Sequence, residues 1–336
     1  MPQHPYAGLL GAGAAVLDDS ALERLTADLS APVRVAVSGR AGAGRGMVRR
    51  ALCGAGVEVA DPGEPADVDV YVFVETLTQD DFALLSGADR PSVAVLNKAD
   101  LTCFRGEGPL AAAAARCREL QRRTGLPTRP LAALLAVAAS RVTAGERSLI
   151  DALRTVGADP ARLAPGMRHR LLAELDLFGT AIAAAAVGRG ADAPALAALL
   201  QQASGISAVL EEIDRAGAPI RYRRLLGTLA RLADDAVGPR GARVDEFLAG
   251  DAVALARMAA ALDVVGAAAT TVDPVGAAAL TVDPAGGCAT HLRRAIHWQR
   301  YAQGPVSTLH RGCGTDISRG ALRLWLQAGG VAEAML

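Results

Sequence analysis

Short apolar runs alternate with segments of helical period from Pro32 to about Asp159, and beyond Pro160 the strand signal disappears. Alternation of that kind predicts a parallel sheet covered by helices. Val33–Val37, Val68–Glu75 and Ser92–Leu96 read as strands, the second apolar nearly throughout and so covered on both faces. Ala132–Ala139 reads as a fourth. Met47–Cys53, Asp80–Leu85, Leu110–Arg123 and Ser148–Val156 read as the helices between them.

The remainder reads as helices over Met167–Val187, Pro194–Gln202, Ile206–Ala216, Ile220–Ala236, Arg243–Val264, Cys288–Gln303 and Ile317–Gln327. The expected organisation is a helical lead-in over 1–31, an α/β domain over 32–159 and a helical bundle over 160–336. Val265–Pro274 is followed directly by a near copy, Val275–Pro284, each ending in Asp-Pro. Ten residues is far shorter than a solenoid repeat, so 265–284 reads as a duplicated linker.

Composition changes the picture in three ways. Hydrophobic residues make up 51% of the chain, yet much of that share is Ala, and no eighteen-residue apolar stretch lacks a charge. No basic-then-apolar leader opens the chain, and a cytoplasmic protein without a transmembrane segment is expected. Lys plus Arg equals Asp plus Glu at 35 each, which leaves no net field for nucleic acid, while peripheral membrane contact stays open. Five scattered cysteines point to a reducing compartment. Finally, the chain contains a single Lys and a single Asn, and they are adjacent: Asn97-Lys98.

Two motifs carry candidate chemistry. The first strand runs into Gly39-Arg40-Ala41-Gly42-Ala43-Gly44-Arg45-Gly46 and then a helix. Small residues let successive backbone N–H groups turn toward a phosphate, with a helix N-terminus behind them. The third strand ends in Asn97-Lys98-Ala99-Asp100. In that arrangement the Asp carboxylate accepts from the guanine N1 and N2 donors, the Lys stem covers the base and the Asn braces neighbouring loops. Ligands bind at the C-terminal ends of strands in parallel sheets.

Together these segments resemble the translation-factor-related class of P-loop GTPases, which includes Era-like and bacterial dynamin-like proteins. The likeness spans roughly Pro32–Val156 and implies a P-loop GTPase-like, mostly parallel α/β sheet, followed here by an all-helical domain. It implies GTP or GDP as ligand, with Gly39, Gly42, Gly44, Arg45, Gly46, Asn97, Lys98 and Asp100 around it. Ala138 and Ala139 would contact the base through backbone. Three departures bear on activity. Arg45 stands where the family has its phosphate-reaching Lys, Gly46 where it has a magnesium-binding Ser or Thr, and the segment carrying its second magnesium ligand is missing. Asp61-Pro62-Gly63 is one residue short of the family's D-x-x-G element and reads as a turn. Magnesium therefore has too few ligands, and hydrolysis is expected to be absent or very slow.

Cys288, His291, His310 and Cys313 form two Cys/His pairs at zinc-like spacing, with ordinary core or surface roles favoured over a metal. Arg221–Arg224 and Arg293-Arg294 read as solvated helix faces, and Trp298 and Trp325 as core. The expected function is a guanine-nucleotide-binding pseudo-GTPase, regulatory or interacting, that engages a protein partner; by resemblance the partner could be an intact GTPase. A slow, divergent GTPase and a structural scaffold that binds nothing are the alternatives.

Overall fold

The structure, a computed structural model, describes residues 6–102, 108–144, 147–158, 164–236, 241–269 and 287–330. The chain divides into two compact units, Pro32–Gly217 on one hand and Met1–Ala31 with Ala218–Leu336 on the other. The sheet-bearing unit thus extends past the expected end at 159. The N-terminal segment belongs with the C-terminal helices rather than standing alone.

Five parallel strands form the sheet of the Pro32–Gly217 unit: β1 (Arg34–Gly39), β2 (Glu58–Val59), β3 (Val68–Phe73), β4 (Ser92–Asn97) and β5 (Thr128–Leu131). Their order is β2-β1-β3-β4-β5. Alternation along the strands separates two cores. Val35, Val70, Val72, Val93 and Val95 pack on one face with α3 (Arg45–Gly54), α6 (Ala133–Thr143) and the first turns of α10 (Ile206–Asp234). Tyr71, Phe73, Ala94 and Leu96 face the other side, against α5 (Pro109–Thr124). Both faces are covered, as the apolar β3 and β4 require.

One strand assignment is corrected. Ala132–Ala139 is not a strand: α6 begins at Ala133, and the strand is the preceding Thr128–Leu131. Ala and Leu are strong helix formers, which favours the helix once α6 has a face to bury. Pro130 disguised β5, and its presence in a strand is tolerated because β5 is the sheet edge.

A helical insert follows β5. With α6 it comprises α7 (Arg147–Ala158), α8 (Pro165–Gly188) and α9 (Ala193–Ser204), sharing a core that includes Leu135, Leu149, Leu153, Leu171, Leu175 and Leu196. Among the described residues, α8 alone is by itself long and apolar enough to cross a membrane. It is interrupted at Asp176 (φ 58°, ψ −176°), and Leu171, Leu175, Gly179 and Ala183 along it are buried in the insert's core.

Among the described residues the other unit is all-helical: α1 (Ala7–Ala14), α2 (Asp19–Ser30), the later turns of α10, α11 (Gly241–Ala249), α12 (Asp251–Ala269), α13 (Cys288–Gln303) and α14 (Thr308–Gln327). Trp298 and Trp325 are buried, as expected. Pro219 does not divide α10, and a break before Asp251 splits the helix expected over Arg243–Val264. Arg294, expected on a solvated face, is 7% exposed. Val265 to Ala269 closes α12; the rest of the duplicated segment lies outside the described residues.

Candidate functional site

The strand order reverses direction between β1 and β3, since the chain moves outward to β2 on one side and to β3 on the other. A crevice opens at the carboxyl ends of strands at such a reversal. The glycine loop of residues 39–44 leaves β1 at this point, and Asn97 ends β4.

Glycine is needed in the loop for close approach. A Cβ on Gly39 (φ 135°) would lie 2.1 Å from the Val72 carbonyl oxygen, and one on Gly44 (φ 86°) 2.5 Å from Asn97 Nδ2. Gly42 (φ 79°) and Gly46 face open space. Helix α3 starts from Gly44 with no side-chain cap and no acidic residue in its first turn. The Met47 N–H donates to the Gly44 carbonyl at 2.9 Å, so the Arg45 and Gly46 N–H groups and the helix dipole are what is left for an anion. Arg45 and Gly46 are exposed at that end.

Asn97, 3% exposed, joins the segments at the carboxyl ends of these strands. Its Nδ2 donates to the Ala43 carbonyl at 2.8 Å, and its Oδ1 accepts from the Ala133 N–H at 3.3 Å. The loop after β1, the end of β4 and the start of α6 are held by one amide. Lys98 adopts a left-handed conformation (φ 58°) and is exposed, which turns the chain into a short 3₁₀ segment over Ala99–Leu101. Asp100 lies on it, 4% exposed. Burial pushes its carboxyl above the usual range; nearby Asp176 adds to that, while a backbone hydrogen bond and Lys98 oppose it. Helix α8, which carries Asp176, packs against this 3₁₀ segment.

The loop has a second anchor that sequence reasoning missed. Arg40 donates from Nε to Asp81 Oδ1 at 2.9 Å, and its Nη2 lies 2.6 Å from Oδ2. The Asp81 carboxylate also accepts from the Tyr71 hydroxyl, the Thr78 N–H at 2.7 Å and the Thr78 hydroxyl at 2.9 Å. Burial pushes Asp81 up, but the hydrogen bonds from Tyr71, Thr78 and Arg40 outweigh it and hold the carboxyl below its ordinary value. The available signal was the pair Thr78 and Asp81, three residues apart, which form a capping box on α4 (Gln79–Ser86).

Ala138 and Ala139 lie inside α6 and are buried, not at a strand end, and the α6 residue whose N–H meets Asn97 is Ala133. Asp61 forms a turn closed by Glu64 N–H to its carbonyl at 3.0 Å, and its carboxylate pairs with Arg49 of α3 at 2.8 Å. The four zinc candidates do not converge. Cys288 and His291 begin α13 whereas His310 and Cys313 begin α14, and the two helices pack as a hairpin with Ser318 donating to the Ala295 carbonyl at 2.9 Å. Twelve helical residues separate His291 from the turn, about 18 Å at 1.5 Å per residue. His310 Nδ1 instead lies 2.8 Å from the Tyr301 hydroxyl, and burial pushes the Cys313 thiol up to about 11. Among the described residues no group of three or more His, Cys, Asp or Glu could hold a metal ion.

No protein-family model matches the chain, and comparisons with curated proteins and with solved structures give no match.

Proposed function

We propose that the Pro32–Gly217 unit binds a guanine nucleotide across the glycine loop and the Asn97–Asp100 turn, and acts as a nucleotide-sensing pseudo-GTPase rather than a catalyst. The observation that carries this reading is the Asn97 amide, which bonds the loop at Ala43 and the start of α6 at Ala133. A strand-to-helix glycine loop with an uncapped helix N-terminus suits a phosphate, and a following Asp suits the paired N1 and N2 donors of guanine. Arg45 would meet the phosphates as a planar fork, while Gly46 supplies no hydroxyl for magnesium. GDP, or a metal-independent complex, is favoured over a magnesium triphosphate. Asp61 is engaged by Arg49 and so adds nothing to a metal site.

Asp100 is buried where α8 packs. Entry of a base therefore requires the interrupted segment of α8 around Asp176 to move aside, and nucleotide binding shifts the α6–α9 insert only as far as the two conformations differ in affinity. The output is a change in docking to a protein partner, for which an intact GTPase is the family-based candidate, in the cytoplasm.

A second reading, a scaffold that binds no nucleotide, is favoured by the same burial of Asp100 beside Asp176. Calorimetric titration of GDP, GTP and ATP, with and without magnesium, separates the two. Guanine-selective binding that is lost in Asp100→Ala supports the sensor. No heat from any nucleotide, with the chain folded, leaves the scaffold; magnesium-dependent phosphate release would establish a slow GTPase instead.

A further inference from the structure

The helical unit contains a cavity of about 370 Å³ where the α11–α12 junction faces one side of α14. Three arginines, Arg257, Arg319 and Arg323, are among its lining residues, with a single acidic residue, Asp316. That carboxylate is already committed. Asp316 is 3% exposed, accepts from Arg257 Nε at 3.1 Å, lies 2.8 Å from Arg257 Nη2 through its other oxygen, and accepts from the Tyr222 hydroxyl at 2.7 Å. Arg323 donates to the Ala249 carbonyl at 2.9 Å and sits 3.4 Å from Asp251. Arg319 is exposed and, among the described residues, has neither ion pair nor hydrogen bond. The lining therefore carries one uncompensated planar cation beside two that are held in place.

The rest of the wall is apolar, with Leu248, Val253, Leu322 and Leu326. Leu326 is 51% exposed although it borders a cavity, so apolar surface is open to a ligand there. Arginine matches a two-oxygen anion by paired N–H donors, whereas an apolar wall contributes only if the ligand has a hydrocarbon body. We infer that this cavity binds a small amphipathic carboxylate, its head on Arg319 and its apolar body against Leu322 and Leu326. The site lies wholly within the helical unit and does not depend on the nucleotide reading.

The test uses the full chain, titrated with octanoate, octanol and inorganic phosphate by calorimetry and ligand-observed NMR. Octanoate is expected to bind, and Arg319→Ala to weaken it at least about tenfold, as loss of a charge-assisted hydrogen bond implies. Leu326→Ser, at an exposed position, should weaken octanoate while leaving the melting temperature unchanged. Equal binding of octanol would reduce the site to an apolar groove, and equal binding of phosphate to a plain anion patch. Either result overturns the proposal, as does octanoate binding that survives Arg319→Ala or no binding by a folded chain.

Discussion

Asn97 Nδ2 donates to the Ala43 carbonyl at 2.8 Å across 54 residues of sequence, with the Asn side chain almost wholly buried. Its oxygen serves the Ala133 N–H in addition, so two backbone groups depend on one side chain. Asn97→Ala strands both. Each buried group without a partner costs about 1–3 kcal/mol, and a total loss of about 2–6 kcal/mol is expected in urea denaturation. A loss below about 0.5 kcal/mol would show that solvent reaches these groups and that the amide does not hold the loop.

Gly44→Ala is expected to destabilise by about 1–3 kcal/mol, because φ is 86° and the new Cβ would approach Asn97 Nδ2 to 2.5 Å. The same change in an Asn97→Ala background should cost less, since the clashing atom is gone. A double-mutant cycle should give a coupling above about 0.5 kcal/mol, and additivity would separate the backbone strain from the contact.

The Arg40–Asp81 anchor makes a pH-dependent prediction. The folded carboxyl is held below its ordinary value of 3.8, so the unfolded chain binds the proton more tightly. The contribution to stability is present above 3.8 and is lost as pH falls through the lower folded value. Asp81→Asn should lower the melting temperature at pH 7, and the difference from wild type should shrink below pH 3.8. A difference unchanged by acid would rule out the charge as its source.

Asp100 has the opposite sign. Its folded value is raised above 3.8, so ionisation in the folded state costs stability as pH rises through the window between the two values. Asp100→Asn should therefore be more stable than wild type at pH 7, and the gap should close below pH 3.8. On the nucleotide reading the same variant loses guanine and gains a base that offers one donor and one acceptor, as xanthine does. Thermal melts across pH, with GDP and xanthosine diphosphate added, check both halves.

Tyr222 and Asp316 give a prediction in the helical unit. Tyr222→Phe removes one donor from a carboxylate that is 3% exposed, leaving Arg257 to hold it. A hydrogen bond to a charged group is worth about 1.5–3 kcal/mol, and a loss of that size is expected in denaturant. Asp316→Asn should cost more if it also releases Arg257 into the cavity.

Much of the sheet was legible along the chain because its strands announce themselves locally. Val68–Phe73 and Ser92–Asn97 are compact apolar runs, and the glycine loop and the Asn97–Asp100 turn follow strands as their residue types suggested. Thr128–Leu131 escaped notice because Pro130 lowers strand propensity, a penalty that vanishes at a sheet edge. The helix over Ala133–Thr143 was mistaken for a strand because a short apolar run has no period that separates the two.

The partners of Asn97 lay beyond any such reading. That Asn97 ends a strand is a local property, but that its amide meets Ala43 and Ala133 depends on which strands lie side by side. The same holds for Arg40 reaching Asp81, for Asp176 coming beside Asp100, and for Cys288 and His310 falling at opposite ends of a helical hairpin. Sequence by itself determined the strands that end in the glycine loop and in Asn97, most of the helices, the Lys-poor composition that singles out Asn97-Lys98, and the residue types at the loop. Tertiary structure alone decided which groups pair, how deeply Asp100 is buried and where the units divide, because pairing and desolvation arise only once distant segments share one core.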